Sequence, residues 1–157
     1  MAQIGDIIEK ALNDCKDRII QNHQSKGQVA TGNTMRSLKV VRLDDYHLQL
    51  VQSGEEFAPL GTLDEGKAPG KVPFNFWQII ARWAEAKGIT FADTKEANRF
   101  ARAVAWHIHT DGTKRYHNNV DVVKTPVDEC KKEIIKNTTN FFKTEIKQRI
   151  FKKDFKL

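Results

Sequence analysis

Two hydrophobic periods alternate along this chain. Between Gln3 and His23, Ile4, Ile7, Ile8, Ala11, Leu12, Cys15 and Ile19 recur at steps of three and four. That spacing lines one face of an amphipathic helix, and Gly27 ends it. The period then drops to two. Tyr46, Leu48 and Leu50 alternate with His47 and Gln49, predicting a strand that pairs with Ser37 to Leu43 across an Asp44-Asp45 turn. A hairpin alone is marginal, so it must pack on helices or join another sheet. After Pro73 the helical period returns, with Phe76, Ile79, Ile80 and Trp83 on one face and a stop at Gly88. On this pattern Trp83 is buried. Asp93 with Glu96 opens a third long helix that turns Ala97, Phe100, Ala101, Val104 and Ile108 inward and ends near Gly112. A short strand is expected at Val120 to Val123. Thr125 as cap and Pro126 in the first turn start a last helix, whose apolar stripe is Val127, Cys130, Ile134, Phe141, Phe142, Ile146 and Ile150. The fold class expected is α+β: amphipathic helices on a small antiparallel sheet, a long connecting loop and a C-terminal helix.

The loop from Ser53 to Val72 contains "GTLDEGK", one residue short of a phosphate-binding loop. Ala68 stands where that motif needs a Ser or Thr for magnesium, and Asp64 and Glu65 would repel the anion. Pro69-Gly70 prevents a helix from starting at the lysine. The expectation is no nucleotide, and a long Gly/Pro loop of the kind that is usually functional.

Charge sharpens the picture. Nine Lys/Arg against three Asp/Glu lie after Cys130, which accounts for the whole net charge of +6 and leaves the rest neutral. Such asymmetry speaks of partners rather than fold. The basic segment has three readings: a solvated helix face, a nucleic-acid contact, or a dock for an acidic neighbour. Lys147, Arg149, Lys152, Lys153 and Lys156 are the candidate DNA-facing residues, with Phe151 and Phe155 between them. No apolar run reaches the roughly 20 residues of a membrane span, and the charged N-terminus does not read as a secretory signal, which points to a cytoplasm. Cys15 and Cys130 fall at apolar helical positions and read as small buried thiols.

Candidate chemistry is sparse. His107, His109, Asp111 and His117 could mark a metal or nuclease site. On a helix, however, His107 and His109 point about 200° apart, and polar residues at a helix end are the simpler reading. No cofactor, no metal and no enzymatic activity is expected. Trp77, Trp83 and Trp106 read as core and interface anchors.

The order of these features resembles the tail-completion or neck proteins of tailed bacteriophages, which connect head and tail. An amphipathic opening helix leads into "ATGNTMRSLKV", then a hairpin, then "PLGT" opening a long loop. "FWQIIARWAEAKGI" and "ARAVAWHIHTDGT" follow as the family's two later helices. The resemblance spans roughly residues 1–135, the expected connector-like domain. It departs at "KTPVDEC", where the family often has a Pro-Phe element, and in residues 136–157, a basic helical extension. The resemblance implies a non-enzymatic virion protein, assembled as a homo-oligomeric ring around the DNA channel. Its partners would be portal-side or tail-side phage structural proteins and non-specific double-stranded DNA, with no membrane. It would reside in the neck or tail of the virion, and in the host cytoplasm during assembly. Gly61, Thr62, Leu63, Asp64, Glu65, Lys67 and Lys71 would then form a contact arm onto another subunit. The rivals are a cytosolic nucleic-acid-binding protein using the basic C-terminal helix, and a metal-dependent nuclease.

Overall fold

Helix α1 spans Ile4–Ser25, ending two residues beyond His23, where the hydrophobic pattern ends it. A computed structural model describes residues 3–28, 32–54, 60–114 and 121–153, and of 152 and 153 only the backbone. These residues form six helices and two strands. After α1 come α2 (Asn33–Ser37), β1 (Leu38–Arg42), β2 (Leu48–Gln52), α3 (Leu60–Glu65), α4 (Phe76–Ala86), α5 (Thr94–Asp111) and α6 (Lys124–Lys153). The fold class is α+β, as the sequence pattern predicts.

The hairpin pairs antiparallel, with Leu38 opposite Gln52, Val40 opposite Leu50 and Arg42 opposite Leu48. Leu38 and Leu50 reach the core on this face, whereas Lys39 and Gln49 are exposed. Asp44 shapes the turn, its Oδ1 accepting from the N–H groups of Tyr46 and His47 at 2.7 and 2.9 Å. Those bonds, the Tyr46 amide first, hold the Asp44 carboxyl below its usual range. Tyr46 belongs to this turn and is exposed, not a member of the inward row. Arg42 ties the hairpin to α1 through ion pairs to Asp6 and Glu9, and pairs with Asp45 within the hairpin turn. It crosses the helix at Gly5, where a Cβ would come within 2.4 Å of the guanidinium.

The main core lies where α1, the hairpin and α6 meet. Cys15, Ile19, Leu38 and Cys130 are buried there, with Leu12, Leu60, Val127 and Ile134 packed around them. The contacts Asn22 to Val122, Cys15 to Pro126 and Ala11 to Cys130 run in opposite order along the two helices, so α1 and α6 are antiparallel. Arg18 bridges them to Glu129 and Glu133.

A second, separate core joins α4 and α5 through Ile80, Ala101 and Ala105, with Phe76, Trp77, Phe100 and Val104 around them. Asp93 caps α5 by accepting from the Glu96 amide at 2.7 Å, as the Asp-x-x-Glu pattern predicts. The expected inward face of α4 needs correction. Ile80 and Ala84 are its buried residues, while Ile79 and Trp83 are 46% and 39% exposed. Helix α4 is rotated so that Trp77 and Ala81, not Ile79 and Trp83, flank Ile80 against α5. The small residue Ala81 lets the two helices approach; Trp83 at that place would hold them apart.

Candidate assembly surfaces

The stretch between Ser53 and Val72 is not structureless. Gly61, Thr62, Leu63, Asp64 and Glu65 all belong to the short helix α3, so the extended glycine loop of a phosphate-binding motif is not formed here. Leu63 and Asp64 are buried. The Asp64 carboxylate accepts from the amides of Val122 (2.5 Å), Val123 (2.9 Å) and Lys124 (2.9 Å). A carboxylate thus fills the positive N-terminus of α6 from inside the same chain. Asp121 adds a second cap, accepting from the amide and hydroxyl of Thr125. The described part of the expected Val120–Val123 strand is instead this capped entry to the helix; Val120 lies outside the described residues. As parts of a contact arm, Leu63 and Asp64 are therefore excluded by their inward role. Gly61, Glu65 and Lys71 are exposed, and Thr62 and Lys67 are half-buried.

Beyond α3 the chain is fastened to the end of α5. The Lys67 amide donates to Thr113 Oγ1 at 2.9 Å and the Thr113 amide donates to the Lys67 carbonyl at 2.9 Å. The Gly70 amide donates to the His109 carbonyl at 2.8 Å. Gly112, at φ 78°, allows this close crossing, because a Cβ there would stand 2.6 Å from the Lys67 oxygen. The Lys67 ammonium donates to the carbonyls of Ala68 and Gly70. Of the residues weighed as a metal or nuclease site, His107 pairs with Asp111 at 2.5 Å and His109 bonds the Gly70 carbonyl at 3.0 Å. His117 lies outside the described residues. No metal-ligand group of three forms among the described residues.

Residues 136–153 are not a separate element but the unbroken second half of α6. The single stripe expected along this helix divides into two. Val127, Cys130 and Ile134 pack toward α1. Ile135, Phe142, Ile146 and Ile150 fall within about 80° of one another, roughly 130° around the helix from that packed face. They are exposed, as is Phe151. Among the basic residues, Lys147 and Arg149 point about 200° apart and cannot form one DNA-facing row. Lys147 shares its face with Lys132, Lys136 and Lys143, and this exposed lysine stripe runs beside the apolar row. Lys156 and Phe155 lie outside the described residues, as do the side chains of Lys152 and Lys153.

The two thiols meet in the main core. Burial, then the neighbouring Cys130, pushes the Cys15 thiol up to about 12, and burial likewise raises Cys130. Both are free. They are small core groups, as their helical positions suggest. Comparison with protein-family models, with curated proteins and with solved structures finds no match for this chain. No described helix is long and apolar enough to cross a membrane.

The sequence pattern misses α2, α3 and the second face of α6. Helices α2 and α3, of five and six residues, are too short to show a period. The second face does leave a signal: Phe142, Ile146 and Ile150 sit at four-residue steps, out of phase with Cys130 and Ile134.

Proposed function

We propose that this chain is a structural, non-enzymatic subunit of the head–tail connection of a tailed bacteriophage, assembling as a ring around the DNA channel. The observation that carries the reading is the exposed row Ile135, Phe142, Ile146 and Ile150 on a helix whose opposite side is firmly packed. Contiguous apolar rows of this kind mark protein–protein contacts. Two further observations support it. The hairpin has no third strand among the described residues, so both outer edges can accept a neighbour's strand. The "DGT" end of α5 and the loop after α3, both part of the family resemblance, fasten to each other. In this reading the apolar row of α6 meets another subunit. The lysine stripe beside it is free to face channel DNA through phosphate contacts alone.

Electron microscopy of the purified protein tests the proposal. Ring-shaped particles of uniform size are the expected result. A monomer that binds a specific duplex sequence at submicromolar concentration and physiological salt would instead favour a nucleic-acid-binding protein acting through α6.

A further inference from the structure

The assembly contacts proposed above leave one surface of the molecule without a role. On α5, Lys95, Arg99, Arg102, Trp106 and His109 follow one another at steps of four, three, four and three. At 100° per residue they lie within about 80° of one another, on the side of α5 turned away from Ala101 and Val104. Lys95, Arg99, Arg102 and Trp106 are exposed and His109 is half-buried. The C-terminal end of the stripe opens into a cleft of about 330 Å³ between α5 and the segment entering α4. Lys71, Phe74, Trp77, Arg102, Trp106 and His109 line it, and among the described residues no carboxylate does.

Three features of this cleft stand out. Phe74 is 100% exposed and Trp106 67%, although a water-facing aromatic pair contributes nothing to either core. The Arg102 guanidinium lies over the Trp77 ring at 5.0 Å, which fixes a cation beside an aromatic face. Trp106 stacks obliquely on His109 at 5.5 Å, and His109 is itself held by the Gly70 carbonyl at 3.0 Å. The platform is therefore braced at its base, while the outer faces of Phe74 and Trp106 stay open.

Open aromatic faces interleaved with exposed cations are what a flexible polyanion with planar groups requires. Bases stack on the rings and phosphates meet the cations, without reading sequence. Duplex DNA hides its base faces and would use the cations alone. We propose that the α5 stripe and its cleft bind single-stranded nucleic acid. Bases stack on Trp106 and Phe74, and phosphates lie along Lys71, Arg102, Arg99 and Lys95. The site is independent of ring assembly and of the lysine stripe on α6.

The test uses the full chain with fluorescein-labelled dT12 and U12, and a 12-base-pair duplex as competitor, titrated at several salt concentrations. The expected log–log salt slope is about −3, from four cations at roughly −0.7 each for a single strand. Trp106→Ala should weaken binding about tenfold or more at unchanged circular dichroism, the scale of one lost stacking contact. Trp106→Phe should restore most of it. Arg99→Ala with Lys95→Ala should flatten the slope by about 1.4. The two oligonucleotides should bind within a few-fold of each other, because phosphate and base face are common to both. The proposal is overturned by any of three results. Neither oligonucleotide binds. Binding survives Trp106→Ala but is lost on truncation after Lys136. Trp106→Ala changes the oligomeric state and leaves the oligonucleotide affinity alone, which would mark a protein interface.

Discussion

The two halves of α6 belong to one unbroken helix and both carry apolar residues at helical spacing, yet the molecule treats them oppositely. In the first half Asp64 and Asp121 cap the start, Pro126 is buried, and Val127, Cys130 and Ile134 pack on α1. Arg18 adds ion pairs to Glu129 and Glu133. In the second half Phe142, Ile146, Ile150 and Phe151 are exposed, and no described residue supplies a salt bridge. The difference teaches that hydrophobicity alone does not place a residue in a monomer's core. What counts is whether another element of the same chain reaches it. Helix α1 begins at Ile4, and α6 runs on past it.

The sharpest break between the halves should come from their apolar residues. Ile19, fully buried opposite the first half, should cost about 2–5 kcal/mol when changed to Ala. Ile150→Ala, measured by urea unfolding at a concentration that keeps the chain monomeric, should cost less than about 0.5 kcal/mol. Equal costs would mean that the second half is packed after all.

Asp64→Ala should follow at about 2–4 kcal/mol, because it leaves three amides at the head of α6, that of Val122 buried, without their acceptor. Hydrogen exchange would show the loss at Val122, Val123 and Lys124, with the second half of α6 unaffected. Gly112→Ala should cost about 1–3 kcal/mol, through left-handed strain and the clash with the Lys67 carbonyl. It should loosen the crossing loop while sparing the main core.

The thiols give a smaller, pH-dependent effect. Their folded values lie above the ordinary thiol value near 9, so the fold favours the protonated form. Their contribution is complete below the unfolded pKa and declines as pH rises from about 9 toward 12, where the unfolded chain releases protons first. Cys15→Ala with Cys130→Ala should remove that part of the alkaline decline. In the native wild type both thiols should resist a soluble thiol reagent. The least effect belongs to Lys67→Ala, within about 0.5 kcal/mol. Saturable ATP binding abolished by this change would revive the phosphate-loop reading.

Much of the fold is legible in the sequence. The long periodic helices, the Asp93 cap and the Gly88 and Gly112 stops each depend on residues close together along the chain. The roles of Asp64 and Arg42 depend on contacts across 58 and 36 residues, which no local pattern encodes. Trp83 is misplaced when the inward face of α4 is drawn through the large apolar residues Phe76, Ile79, Ile80 and Trp83, because Trp77 and the small Ala81 are what flank Ile80 against α5. Of the candidate surfaces, the basic charge of the last helix is readable. The spacing of Phe142, Ile146 and Ile150 separates them from Cys130 and Ile134, but which of the two faces is covered is not legible, because only the α1 contact fixes the helix's rotation.

Sedimentation of the full chain beside a Phe142→Ser, Ile146→Ser, Ile150→Ser variant tests the central claim most directly. A connector subunit that assembles through α6 should give a discrete ring-sized oligomer for the full chain and a folded monomer for the variant, with unchanged helix content. A wild-type chain that remains a monomer across the whole accessible concentration range would contradict it, as would a variant that assembles as well as the wild type.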